Sequence, residues 1–242
     1  SRLAAIRQAA AKYAGSYGDD QRARYLSMVD GMVFGDSKDQ GVVRGRNFSH
    51  EDLGIALTAP DGWRVQNTPQ AIVLVNGAGD AGLIVRLVPP DAGTTHEDII
   101  RRVVKPVQGQ TERRTLNGLA ATHFVGQVRD AQGQGQNVRL TVATGPGNRN
   151  YLMQYAARDA QALQRSAAGL TEAERSFRAM GAADRSAARP WTLRTTAFPA
   201  GGWAALARSS PLGDRAEARL RLINGVYQGG IGPRPGQPVK VV

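Results

Sequence analysis

Two of the three histidines in this chain begin a pattern that could bind zinc. His50 and His96 are each followed by glutamate, the first half of His-Glu-x-x-His, which places two imidazoles on one face of a helix. The position of the second histidine holds Gly54 in one case and Ile100 in the other, and neither residue can bind a metal. His123 has no second ligand nearby in the sequence. We therefore predict no metal site in this chain and three histidines satisfied at the surface or at an interface.

Other catalytic chemistry has no recognisable pattern either. The chain has no cysteine, which excludes disulfides, thiolate nucleophiles and cysteine-type zinc sites. It contains no Gly-x-Ser-x-Gly, and its Gly-rich stretches GQGQ and GGIGPRPG are neither phosphate-binding loops nor dinucleotide fingerprints. The carboxylate pairs Glu172/Glu174 and Asp19/Asp20 fall at helix starts or in loops, where capping and solubility explain them. We predict no catalytic residue and no cofactor in this chain.

The formal charge of +11 comes mainly from arginine. Of the 31 basic residues 27 are arginine, against 20 acidic residues, and no cluster of five or more cations occurs. Two explanations of this arginine excess remain open. Either a GC-rich genome encodes arginine in place of lysine on ordinary solvated surfaces, or the arginines form a surface that binds polyanions. Sparse aromatic residues argue against nucleic acid as the partner. The net charge rises along the chain, from +1 over 1–43 to +4 over 44–181 and +6 over 182–242.

The length and hydropathy indicate a folded protein. At 242 residues and 41% hydrophobic content the chain can bury a core in one large domain or in two to three small ones. No apolar run approaches the 18 residues that a membrane-spanning helix needs. The chain begins at Ser1 without a signal-peptide pattern, which leads us to expect a mature product or a piece of a longer protein.

Hydrophobic periodicity predicts three segments. Residues 1–43 carry two apolar stripes with helical spacing, followed by a turn-rich linker. The stripes are Leu3, Ile6, Ala10 and Tyr13, then Tyr25, Met28, Val29 and Met32. Residues 44–181 alternate strands, hairpins and two helices, the second of which Gly169 is expected to break. Residues 182–242 begin with a small-residue linker and continue as strand, helix, helix and strand.

Local signals support the elements of the central segment. Asn117-Gly118 is the favoured pair for a two-residue hairpin turn, and Thr95 is placed to cap a helix that ends before Pro106. The strand NVRLTVAT alternates apolar and polar residues, as a half-buried strand does. The predicted fold class is α+β: N-terminal helices, an antiparallel sheet sandwich with helices on one face, and a small βααβ module.

The C-terminal stretch PAGGWAALARSS…RLRLINGVYQGGIGPRPGQPVKVV resembles a LysM-type module. Asn224-Gly225 would end its second helix, and Pro235-Gly236 would turn the chain into the closing strand. Gly202-Trp203 replaces the Asp-Thr pair usual in that family, and the loop YQGGIGPR is expanded. The resemblance implies a glycan groove flanked by 200–203 and 224–227. Its candidate residues are Gly201, Gly202, Trp203, Asn224, Gly225 and Tyr227.

Trp203 has two interpretations. An exposed indole could stack on a sugar ring, as could the ring of Tyr227. Alternatively, Trp203 anchors the core of a module so small that its large apolar residues must lie inside. We favour the second interpretation.

Three upstream motifs resemble the region that follows the catalytic domain in periplasmic M48-family zinc metallopeptidases of alphaproteobacterial type. They are DGMVFGD at 30–36, RGRNF at 44–48 and the stretch LGIALTAPDGW at 53–63. Glu51 stands where that family tends to carry proline. The opening SRLAAIRQAAAKY resembles the helix that leaves the peptidase domain, so the zinc-binding helix would precede Ser1. The element order of 44–181 is similar to the PsbP/Mog1-like sandwich.

These resemblances imply a non-catalytic C-terminal portion of a secreted zinc metallopeptidase, with zinc bound only in the peptidase domain. The central segment would serve protein interaction or regulation, and the last segment would dock on peptidoglycan or another envelope polymer in the periplasm. A stand-alone envelope-binding protein without peptidase activity is the alternative. A third possibility is an unrecognised enzyme on the sandwich, which a deep polar cleft with convergent titratable groups would support.

Overall fold

A computed structural model describes most of the chain in two compact units. The described residues are 5, 8, 9, 11, 21–36, 40–226 and 232–242. The central unit contains 36–190, and the terminal unit joins 21–35 to 191–242. The sequence analysis placed these last two stretches in separate segments. The first predicted helical stripe, from Leu3 to Tyr13, lies outside the described residues.

Strands dominate the central unit, whereas helices make up more of the terminal unit than strands do. In chain order the strands are β1 Val33–Phe34, β2 Val42–Arg44, β3 Asn47–His50, β4 Ile55–Thr58, β5 Arg64–Asn67, β6 Ile72–Val75, β7 Ala81–Leu87, β8 Gln108–Leu116, β9 Leu119–Arg129, β10 Gly135–Gly145, β11 Arg149–Ala157, β12 Arg178–Ala179, β13 Trp191–Thr192, β14 Arg194–Ala197 and β15 Pro238–Val241. The helices are α1 Arg22–Val29, α2 His96–Ile99, α3 Ala160–Arg165, α4 Ala167–Arg175, α5 Ala182–Ala187, α6 Gly202–Ser209 and α7 Ala216–Ile223. A π-helical turn, Ile100–Val104, continues α2.

Two antiparallel sheets form the central unit. The larger has seven strands in the order β5-β6-β7-β11-β10-β9-β8, and the smaller has the order β12-β4-β3-β2. Most neighbours in the large sheet are consecutive in the chain, as expected of strands joined by hairpins. The exception is the pairing of β7 with β11, which are not consecutive in the chain. Strand β11 also pairs with its predecessor β10. The predicted α+β class with antiparallel sheets is confirmed.

Apolar residues pack on both faces of the large sheet. On one face Leu83, Tyr151 and Met153 meet Leu57 of the small sheet and Leu170 of α4. On the other face, residues of the sheet pack against α2 and its π-helical turn and form a separate buried cluster. Its members are Val88, Ile99, Ile100, Phe124, Val138, Leu140, Val142 and Leu152. Since strand residues alternate between faces, β10 supplies Val138, Leu140 and Val142 to one side and polar residues to the other.

Two local predictions are confirmed. Asn117 and Gly118 have φ values of 48° and 83°, the left-handed pair that a type I′ turn requires between β8 and β9. The Thr95 side chain accepts a hydrogen bond from the backbone N–H of Asp98 and caps α2. The chain leaves the π-helical turn at Lys105, directly before Pro106.

Two other local predictions were wrong. The break between the helices of 160–175 falls at Ser166, not at Gly169. Gly169 lies inside α4, where the indole of Trp63 packs so closely that a Cβ would be 2.6 Å from its Cζ2 atom. The predicted linker forms α5, and the Arg178 guanidinium contacts the Asp184 carboxylate of this helix at 2.6 Å.

The terminal unit has the predicted strand-helix-helix-strand order. Strands β14 and β15 pair antiparallel, and α6 and α7 pack against them. The buried cluster consists of Phe198, Trp203, Leu212, Ala216, Leu220 and Val239. A core of this size is small, so each large apolar residue contributes a substantial share of its stability.

The N-terminal stretch belongs to this same unit. Strand β1 pairs with β13, and the Asp30 carboxylate accepts a hydrogen bond of 2.8 Å from the backbone N–H of Thr195. Leu26 is the buried residue of α1. The helix predicted from the second stripe forms as α1. The stripe is not its buried face, however, because Tyr25 and Met28 are exposed, and Met32 lies beyond the helix and is exposed as well.

No helix in the described part of the chain is both long enough and apolar enough to cross a membrane.

Candidate functional site

Trp203, a candidate glycan-binding residue that we expected to be a core anchor, lies inside the terminal unit. Trp203 is 5% exposed, and its ring packs at 60° against Phe198 with 4.9 Å between the ring centroids. The guanidinium carbon of Arg221 lies 5.8 Å from the indole. This burial leaves the Trp203 ring no face for a sugar and agrees with its interpretation as a core anchor.

The other described residues of the predicted groove are three glycines and Asn224, whose side-chain amide is hydrogen-bonded within the terminal unit. Asn224 donates both amide hydrogens, to the carbonyls of Leu220 and Lys240, and its oxygen accepts from the Lys240 N–H. It therefore joins the end of α7 to β15. Gly202, the first residue of α6, and Gly225, in the turn after α7, have φ values of 66° and 72°. Gly201 is exposed beside Gly202. Tyr227 lies outside the described residues.

Two of the three histidines lie in ordinary structural positions. His96, in α2, contacts the hydroxyls of Thr122 and Thr144 at 2.9 and 2.8 Å through its two ring nitrogens. Burial lowers its pKa, although the charge of Glu97 acts in the opposite direction. His50 is the last residue of β3. Within 21–36, 40–226 and 232–242, no three histidine or acidic side chains are grouped to hold a metal ion.

His123 belongs to a buried polar network that joins α4 to the large sheet. The Arg139 Nε–H donates to His123 Nε2 at 3.1 Å. Because a guanidinium can only donate, Nε2 is the acceptor and the ring proton lies on Nδ1, which is 2.7 Å from the Thr141 hydroxyl. Thr141 and Tyr155 donate their hydroxyl hydrogens to the two carboxylate oxygens of Glu174. The network thus runs from a half-buried cation to a carboxylate that is 1% exposed.

The surroundings of Glu174 shift its pKa strongly. Burial of the carboxyl raises its pKa, but hydrogen bonding with His123, Thr141 and Tyr155 outweighs burial and lowers the pKa to about 2. Burial raises the pKa of the Tyr155 hydroxyl, and its bond to Glu174 raises it further. At neutral pH the carboxylate is therefore charged and the phenol is neutral.

This depressed pKa predicts a pH-dependent contribution to stability. A folded-state pKa of about 2 against a usual 4.5 is equivalent to about 3 kcal/mol of stabilisation, present above pH 4.5 and lost as the pH falls towards 2. We expect the free energy of unfolding, measured by urea denaturation, to fall more steeply between about pH 5 and pH 2.5 in the wild type than in Glu174→Gln. Glu172→Gln, an exposed change on the same helix, should follow the wild type. Parallel pH profiles for the wild type and Glu174→Gln would contradict the assignment.

An open polar cleft of about 660 Å³ lies beside this network. Its lining residues are Glu112, Arg114, Thr115, Leu116, Asn117, Arg139, Thr171, Glu174 and Arg175. Such a cleft is the feature that the enzyme hypothesis requires. However, Arg114 is paired with Glu112 at 2.7 Å, and both Glu174 oxygens accept bonds from buried hydroxyls. The geometry suits a carboxylate that fastens α4 to the sheet better than one that meets a substrate.

Sequence reasoning missed this network. Glu174 was assigned to capping and solubility and His123 to the surface or an interface, yet both are buried. Only part of the signal was present in the sequence: Thr141 occupies a polar position of the alternating strand β10, whereas β9 does not alternate around His123. The position of these two residues directly opposite each other follows only from the pairing of β9 with β10.

Comparison with known proteins finds similarity in structure alone. No protein-family model matches the chain, and no curated protein matches it. Among solved structures, cyanobacterial PsbP from Synechocystis sp. PCC 6803 is 16% identical with a TM-score of 0.39, covering 61% of this chain and 99% of its own. LpqN, a Mycobacterium tuberculosis protein involved in cell envelope biogenesis, is 14% identical with a TM-score of 0.36, covering 67% and 98%. A Bacteroides thetaiotaomicron protein is 9% identical with a TM-score of 0.40, covering 78% and 65%.

Similarity at this level carries no information about function. The α+β fold class rests on the strands and helices described above.

Proposed function

We propose that this chain is the non-catalytic C-terminal portion of a secreted zinc metallopeptidase and that its terminal unit docks the enzyme on peptidoglycan, in the periplasm or at the cell envelope. The zinc ion and its His-Glu-x-x-His helix would belong to another part of that protein. A stand-alone envelope-binding protein is the alternative. An upstream reading frame that encodes His-Glu-x-x-His favours the first, and its absence favours the second.

The motifs that carry the peptidase resemblance have structural roles in the described chain. Asp30 bonds the N–H of Thr195, and the Asp36 carboxylate accepts from the N–H of Val43 at 2.8 Å. Trp63 packs against Gly169. In this chain these motif residues therefore have structural roles and do not serve zinc chemistry.

The observation that carries the docking proposal is the charge of the terminal unit. The part 191–242 of this unit contains seven basic and two acidic residues, and its part 21–35 contains two basic and one acidic. Arg194, Arg208, Arg215 and Arg234 are exposed, and within the described residues none of these four forms an ion pair. Exposed cations without internal partners are available to an anionic polymer such as peptidoglycan, whose stem peptides carry carboxylates.

This arrangement favours electrostatic docking over sugar stacking. Trp203 is buried, and the amide hydrogens of Asn224 are used within the unit. The described part of the predicted groove therefore offers backbone groups, whereas the arginines offer charge. Binding of this kind weakens when salt screens the charges.

Charge removal in the terminal unit tests the proposal. We expect Arg194→Ser/Arg208→Ser/Arg215→Ser to bind purified peptidoglycan about tenfold more weakly than the wild type, since three exposed contacts of modest strength are lost. The measurement is co-sedimentation at low and high salt.

The matched control is Arg64→Ser/Arg86→Ser/Arg102→Ser, three exposed arginines of the central unit. It removes the same charge and should bind peptidoglycan like the wild type. Equal binding by both triple variants would refute docking through the terminal unit. Retention on neutral chitin that survives high salt would indicate glycan recognition instead.

A further inference from the structure

The polar cleft of about 660 Å³ beside Glu174 contains cationic groups that the buried network leaves unused. Three arginines from three different elements line it, Arg114 of β8, Arg139 of β10 and Arg175 of α4. The carboxylates of Glu112 and Glu174 line it as well. Three guanidiniums and two carboxylates give the described lining a net charge of +1, so the cleft favours an anion over a cation.

Both carboxylates of the lining are already engaged. Glu112 accepts a hydrogen bond of 2.7 Å from Arg114, which balances the charge of that arginine. Glu174 is 1% exposed, and its two oxygens accept bonds from buried hydroxyls. Within the described part of the chain, neither Arg139 nor Arg175 forms an ion pair. These two guanidiniums therefore supply the positive charge that a ligand can use.

The buried network holds the guanidinium of Arg139 in place. Its Nε–H donates to His123 Nε2 at 3.1 Å, and its Cζ atom lies 4.6 Å from the centroid of the Tyr155 ring. A side chain fixed by a hydrogen bond and by a stacked ring loses less conformational freedom on binding than a freely rotating surface arginine. Arg139 is thus oriented before any ligand arrives.

The two terminal nitrogens of Arg139 remain available to a ligand. Neither has a hydrogen-bond partner among the described residues. The side chain is only partly buried, and neither nitrogen is among the fully buried polar atoms that lack a partner. Both nitrogens therefore keep surface that solvent reaches. A guanidinium can present such N–H groups together to two oxygens of one anion.

We propose that this cleft binds a small molecule that carries a dianionic phosphate group, such as a phosphate monoester. The charges of Arg139 and Arg175 match the two charges of the phosphate, and Arg139 directs N–H donors to its oxygens. The cleft volume lies within the range of small-molecule sites and leaves room for the organic part of the ester. All the lining residues belong to the central unit, so the proposal is independent of docking through the terminal unit.

Two probes of similar shape and different charge test the proposal. Phenyl phosphate is a dianion at about pH 8, since the second pKa of a phosphate monoester is about 6, whereas phenyl sulfate is a monoanion. We expect the full chain to bind phenyl phosphate about fivefold more tightly than phenyl sulfate, because the additional charge faces two guanidiniums. Binding is measured by amide NMR titration at low salt, with shifts expected in residues 112–117 and 171–175.

Three single variants locate the site. Arg139→Gln should weaken the binding of phenyl phosphate about tenfold, because it removes a positioned charge together with its donors. Arg175→Gln, a change at an exposed residue outside the buried network, should weaken it about threefold. The matched control is Arg64→Gln, which removes the same charge from β5, at the opposite edge of the large sheet from β8, and should leave binding unchanged.

Three results would overturn the proposal. The first is a wild type that does not bind phenyl phosphate, and the second is equal affinity for the two probes. The third is an equal loss in Arg175→Gln and Arg64→Gln, which would indicate attraction to the overall positive charge of the protein rather than a site. If Arg139→Gln loses its native NMR dispersion, the comparison of Arg175→Gln with Arg64→Gln decides the outcome.

Discussion

Glu174→Ala is expected to lower the free energy of unfolding by about 3–5 kcal/mol. The carboxylate accepts bonds from the hydroxyls of Thr141 and Tyr155 in a buried site. Removing it leaves both hydroxyls without their partner and opens a cavity, and each unpaired buried group costs about 1–3 kcal/mol. Urea denaturation at neutral pH measures the effect.

Two further variants separate the network from general damage to α4. Glu172→Ala removes an exposed carboxylate from the same helix and should change stability by less than about 0.5 kcal/mol. Adding Tyr155→Phe to Glu174→Ala removes one of the orphaned hydroxyls, so the double variant should lose less than the sum of the two single losses. A Glu174→Ala variant as stable as Glu172→Ala would show that the network contributes nothing.

Trp203→Ala should unfold the terminal unit while leaving the central unit folded. Trp203 is the largest residue of a cluster with six buried members, and deletion of a buried tryptophan typically costs about 3–5 kcal/mol. That loss is comparable to the total stability of a unit this small. Amide NMR should show collapsed dispersion for residues 191–242 and unchanged signals for 40–190. Leu222→Ala, at an exposed position of α7, should leave both sets unchanged.

The outcome bears on how binding experiments should be interpreted. If Trp203→Ala loses peptidoglycan binding and also unfolds the terminal unit, the loss gives no support for sugar stacking. If the variant stays folded and loses binding, Trp203 contacts the ligand and its assignment as a core anchor is wrong. The exposed arginines avoid this ambiguity, because their side chains form no ion pair within the described residues.

The sequence by itself determined part of the local structure of this protein. Alternating residues predicted β10, the Asn117-Gly118 pair predicted the turn before β9, and Thr95 predicted the start of α2. The strand-helix-helix-strand order of the terminal unit was also predicted. These features depend on contacts between residues close in the chain, which composition and spacing encode directly. The excess of arginine over acidic residues in 191–242 is likewise a property of the sequence.

Tertiary structure decided which residues are buried and what they contact. Glu174 is 33 residues from Thr141 and 19 from Tyr155, so neither helical nor strand periodicity could predict that the three would meet. Strand pairing placed Leu87 beside Tyr151, and the indole of Trp63 required glycine at position 169. The Glu174 contacts, the Leu87–Tyr151 pairing and the Trp63–Gly169 contact share one physical reason. Periodicity specifies a local conformation, whereas the environment of a buried polar group depends on partners that only the completed fold brings within hydrogen-bond distance.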